Sequence, residues 1–149
     1  MTNVTPRLQV AVTRARAVFE GAELGDSLGR CGCCLLPEEE AQMLELGPDR
    51  WTPEHYWLLE GSVEEARLSG SQVKALLPAA FQLLAAGEDL STGDRSLWFL
   101  AQQPWREWPA EESDAVRGFC DAWLDAGLAW QIDDPLVGLN LILVTLATL

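Results

Sequence analysis

Threonine followed by proline occurs at Thr5-Pro6 and again at Thr52-Pro53, and each pair reads as the start of a helix. A threonine side chain accepts from the orphan N–H groups of a first turn, and proline at that position gives up no intrahelical bond. The first pair opens a helix expected to reach about Leu24, with Leu8, Val12, Ala15 and Phe19 on one apolar stripe. The second opens a helix expected to run to about Arg67. Between them, Pro37 begins a short acidic helix that Gly47-Pro48 ends.

The same punctuation continues to the end of the chain. Ser71 is expected to open a helix with Val73, Leu76, Leu77, Ala80, Phe81 and Leu84 on one face, closed by Gly87. Pro78 lies within it and is expected to kink or split it at Leu77. Ser91 or Thr92 is expected to cap a segment ending near Gln103. Ala110 to Ala126 carries Glu111, Glu112 and Asp114 at its positive end and Gly127 as its stop. The uncharged run from Leu136 to Leu149 reads as a buried helix, since no other segment offers it a strand partner. The fold class is all-α: six or seven short helices stacked as antiparallel hairpins in an irregular bundle. A short α-solenoid is the alternative, although no fixed repeat period is visible. No long polar linker divides residues 1–149, so one domain is expected.

The formal net charge is −13 over 149 residues. Such a field repels phosphate backbones, and the only close basic group is Arg7, Arg14 and Arg16 at helical spacing. Nucleic acid is therefore not expected as a partner, whereas a basic protein is. No stretch is long enough to cross a bilayer, and the N-terminus lacks a secretory-type apolar run, so a cytoplasmic location is expected. The 136–149 segment can serve as a docked core helix or as a homodimer face.

Cys31-Gly32-Cys33-Cys34 places three of four cysteines in four residues. Their C-x-C and C-x-x-C spacings can each supply half of a tetrahedral zinc site. Cys120 and His55 are the remaining soft or borderline ligands, so Cys31, Cys33, Cys34, His55 and Cys120 form the candidate metal set. Zinc is the one cofactor these residues suggest, and idle or buried thiols are the alternative. A redox role would use a thiolate near the helix beginning at Pro37, but Glu38, Glu39 and Glu40 oppose that charge. No sheet context for a thioredoxin-like site is present.

His55 is the only histidine, and no nucleophile elbow, zinc-protease motif or phosphate loop accompanies it. The proline-bracketed loop 104–109 holds Trp105, Arg106 and Trp108, which would make interface anchors if exposed and core if folded back. Trp98 and Trp123 fall on apolar stripes and are expected in the core.

The order of these features resembles a family of small uncharacterised bacterial proteins. The likeness rests on Cys31-Gly32-Cys33-Cys34 with Glu38-Glu39-Glu40, Thr52 with Tyr56, and Leu77-Pro78 with Leu83-Leu84, across about the middle half of the chain. It implies a bacterial, cytoplasmic, helical protein and attaches no activity to it. The leading expectation is an acidic, non-enzymatic protein-binding or adaptor protein, in an antitoxin- or immunity-like role. A small zinc-binding protein is the alternative, and a thiol redox enzyme the second.

Overall fold

Leu8, Val12, Ala15 and Phe19 are all buried, and the stripe they form brings α1 (Pro6–Val18) against the rest of the molecule. The computed structural model describes residues 4–29, 34–62, 68–93, 95–130 and 138–149, without the side chains of 130 and 138–141. The remaining helices are α2 (Pro37–Leu46), α3 (Pro53–Ser62), α4 (Gly70–Ala85), α5 (Trp98–Ala101), α6 (Ala110–Trp130) and α7 (Gly138–Ala147). Two short 3-10 turns, Pro48–Arg50 and Trp105–Glu107, join them, and no strand occurs among the described residues. The chain is an all-α bundle of short helices.

Its centre is built from helices far apart in sequence. The closest packing is α1 on α6, followed by α1 on α4 and α6 on α7. Phe81 of α4 stacks on Phe119 of α6 with ring centroids 3.8 Å apart, and Phe119 stacks in turn on Trp123. Lys74 and Glu112 pair at 2.7 Å beside that stack. Arg7 and Asp125 pair where α1 crosses α6. A solenoid would pair each helix chiefly with its sequence neighbours, so the bundle is the arrangement observed. Each large side chain in this centre contributes about 1.5–3 kcal/mol through loss of apolar surface from water.

Several helix limits differ from the sequence expectations, each for a local reason. α1 stops at Val18 rather than near Leu24, because Gly21 and Gly25 take φ of 86° and 75° and turn the chain. α4 starts at Gly70 behind Ser69, not at Ser71. Ser69 Oγ accepts from Gln72 N–H, and Gln72 Oε1 accepts from Ser69 N–H, which is a capping box. Pro78 does not split α4. The missing N–H and ring clash cost about 3 kcal/mol, but Leu76, Leu77, Ala80 and Phe81 are all fully buried around it and offset that cost. Gly87 closes the helix as expected: its N–H bonds Leu84 O and that of Glu88 bonds Leu83 O.

Ser91 and Thr92 are not helix caps. Both bond the carboxylate of Glu60, from α3, and α5 begins only at Trp98. α6 runs through Gly127 to Trp130, where a buried glycine keeps helical geometry. The end of the helix opened by Thr52, beyond Ser62, lies outside the described residues, as does the start of the last segment at Asp134-Pro135.

Candidate functional site

Among the thiols, Cys31 and Cys33 lie outside the described residues, and Cys34 is exposed three residues ahead of α2. The helix start there is occupied by carboxylate, since Glu39 Oε2 accepts from Leu36 N–H at 2.9 Å. Cys120 faces different surroundings, a cavity of about 290 Å³ lined also by Trp105, Leu124, Leu146 and Leu149. Burial pushes its thiol up to about 12, Asp121 adds to the shift, and Arg106 opposes it.

His55 has a structural duty. Its Nδ1 accepts from Thr52 N–H at 2.9 Å and lies 3.1 Å from Thr52 Oγ1. An imidazole thus fills the place that Glu or Gln takes in a capping box. Its ring stacks on Trp51 at 6.0 Å. Trp51 is itself fixed by donation from Nε1 to Met43 O at 2.9 Å. Beside it, Tyr56 is fully buried, and burial raises its phenol well above the ordinary value. No group of three His, Cys, Asp or Glu side chains arranged for a metal occurs among the described residues. His55 and Cys120 have no partner in common there.

The loop 104–109 folds back on the helices, so its indoles are not presented as two bare anchors. Trp105 is buried, with Arg106 and Arg117 guanidinium carbons 4.5 and 5.8 Å from its ring centroid. Trp108 is half-buried, edge-on to Phe19 at 6.2 Å and beneath Lys74 at 4.8 Å. The reason is electronic as well as apolar, because each indole face attracts a cation of the protein itself. Arg106 is exposed and donates to Leu149 O. α7 lies on α6 with Ile142 buried and Leu143 about half exposed. Among the described residues, no helix is long and apolar enough to cross a membrane.

A second recess, apart from the one at Cys120, was not anticipated from sequence. A groove of about 560 Å³ opens where α1 ends, bounded by the loop 20–26, the Pro48–Arg50 turn and α4. Its apolar lining comes from Phe19, Leu24, Leu44, Ala75 and Pro78. Around this lie Glu20, Glu23, Asp26 and Asp49, against the single guanidinium of Arg16. Arg16 pairs with Asp49 at 2.8 Å in an exposed bridge. The loop is held in place by Gln72, whose Nε2 donates to Leu24 O at 2.8 Å and to Ser27 O at 2.6 Å. Leu24 and Leu28 anchor it from beneath. Pro78 also deprives the Lys74 carbonyl of its helical donor on this side of α4.

The signal for this groove was present as glycine. Gly21 and Gly25 interrupt what otherwise reads as acidic residues at helical spacing, so Glu20, Glu23 and Asp26 rim a turn and not a helix face. Chemically the groove offers apolar contact and several carboxylate acceptors, with no nucleophile–base pair. No family model, curated protein or solved structure matches the chain.

Proposed function

We propose that the protein is a non-catalytic binding protein of the adaptor class, which receives a basic, partly apolar segment of a protein partner in the groove at the end of α1. The observation that supports this most is the ring of four carboxylates around an apolar floor, of which Asp49 alone is paired among the described residues. A lysine or arginine entering it meets acceptors at the rim while its aliphatic stem covers Leu24, Leu44 and Pro78. The net charge of −13 extends the attraction beyond the groove and speeds encounter. An antitoxin- or immunity-like role, masking a basic surface of another protein, is the biological form this reading takes.

The test uses a capped, fluorescently labelled peptide of alternating lysine and leucine. Binding should be saturable and should weaken as salt shortens the Debye length below about 8 Å. The double variant Glu20→Lys/Glu23→Lys should weaken it about tenfold or more, because like charges then face each other. Helical circular dichroism should be unchanged, since both side chains are exposed. Equal affinity in the folded variant, or equal binding of a glutamate–leucine peptide, would refute the proposal.

A further inference from the structure

Another recess, of about 480 Å³, lies between α3, Thr92, Gly93 and Arg95, α5 and the residue after α7. Its walls differ in kind from the acidic groove. Trp57 and Trp98 line it from two elements, with Arg95, Glu60, Gln102 and Thr148 between them. Both indoles are held. Trp57 Nε1 donates to Asp89 O at 3.1 Å, leaving the ring 38% exposed, and Trp98 is 7% exposed within the core. A cleft of this volume suits a small molecule, and indole walls favour a flat, polarizable one.

The charges decide which flat molecule. Glu60 lines the cleft, but its carboxylate is committed: Oε1 accepts from Ser91 Oγ at 2.8 Å and Oε2 from Thr92 N–H at 3.1 Å. The same hydroxyl of Ser91 accepts from Gly93 N–H, so Ser91 and Glu60 spend their hydrogen bonds on one another and on the loop itself. Asp89 is occupied as well, accepting from Ser91 N–H and Ser96 Oγ. Arg95 is the opposite case. Its guanidinium is exposed and makes no ion pair or hydrogen bond among the described residues. In a chain with 23 acidic and 10 basic side chains, one unpaired guanidinium stands beside two fixed indoles.

The geometry points to a binding site for a small aromatic carboxylate, with its ring between Trp57 and Trp98 and its carboxylate on Arg95. A planar guanidinium binds a carboxylate through two parallel N–H bonds, which sets the orientation of the ring as well as the charge. Gln102 and Thr148 supply neutral polar contacts at the edge of the ligand.

The probe is 2-naphthoate, compared with its neutral isostere 2-naphthamide, and the readout is the indole N–H resonances of the ¹⁵N-labelled full chain. Naphthoate should shift the Trp57 resonance saturably, and the amide should bind roughly tenfold or more weakly, as loss of a charged hydrogen-bond partner requires. Arg95→Gln should weaken naphthoate by a similar factor while leaving amide binding unchanged. Arg95→Lys should recover part of the loss. No saturable shift with naphthoate, or equal binding of acid and amide, overturns the inference. That comparison uses the unaltered chain, so it stands whether or not a variant folds.

Discussion

The groove at the end of α1 and the cleft beside α3 handle charge in opposite ways. Around the groove at the end of α1, four carboxylates face one arginine, and that arginine already has Asp49 as its partner. In the cleft beside α3, the carboxylate of Glu60 is bound by the adjoining loop, and Arg95 has no partner among the described residues. The groove therefore presents surplus negative charge on a wall made from a glycine-turned loop. The cleft presents one positive charge among side chains anchored in the core. Net charge alone describes only the first. What a recess offers a ligand depends on which of its charges the protein has already used.

The sharpest way to separate them is through their walls. Trp98→Ala removes a side chain 7% exposed and should destabilise the chain by about 3–5 kcal/mol in urea unfolding. Trp57→Ala, at the same cleft but 38% exposed, loses one hydrogen bond and part of its packing and should cost about 1–2 kcal/mol. Similar costs for the two would mean that the cleft is not founded on the core in the manner described.

For the groove, the corresponding support is Gln72. Gln72→Ala deletes two bonds to the loop carbonyls and one to Ser69 N–H, and should cost about 2 kcal/mol at a net 0.5–1.5 kcal/mol each. It should also weaken binding of the lysine–leucine peptide while sparing naphthoate. A loss of both ligands would show that the two recesses are mechanically coupled.

The smallest change in stability should come from Arg16→Gln. Its bridge to Asp49 is exposed on both sides, so unfolding free energy should move by less than about 1 kcal/mol. Peptide affinity should nevertheless rise severalfold, because a like charge leaves the groove and Asp49 becomes available. Calorimetric titration of variant and parent would show it, and a fall in affinity would indicate that Arg16 itself contacts the peptide.

Much of the helical framework was legible because caps and breakers act locally. Pro37 and Gly47 bracket α2, and Ala110 opens α6, as their chemistry dictates. Limits moved where a nearby glycine or cap competed, as at Gly21 and Ser69, and at one place because a distant group intervened. Ser91 and Thr92 carry the residue types of a helix cap, yet Glu60, about thirty residues earlier, holds them in a turn. Ser69 was legible in principle, since Ser69-Gly70-Ser71-Gln72 has the spacing of a capping box. The same distinction governs the sites. His55 and Trp105 read as chemistry or interface because sequence cannot show that Thr52 engages the imidazole or that the indole is buried with two arginines over its ring. The groove gathers side chains from α1, its following loop, α2, the Pro48–Arg50 turn and α4, so only its glycine turns were written in one place.

The pairing of α1 with α6 also bears on how the chain is made. Leu8, Val12 and Ala15 of α1 pack on α4 and α6, and the α6 surface is synthesised roughly a hundred residues after them. At about 5–20 residues per second, that apolar stripe waits on the order of 5–20 seconds for its counterpart. Synthesis thus includes an interval in which the first helix is exposed to competing hydrophobic contacts. A chaperone acting on the nascent chain would meet the apolar stripe of α1 during that interval.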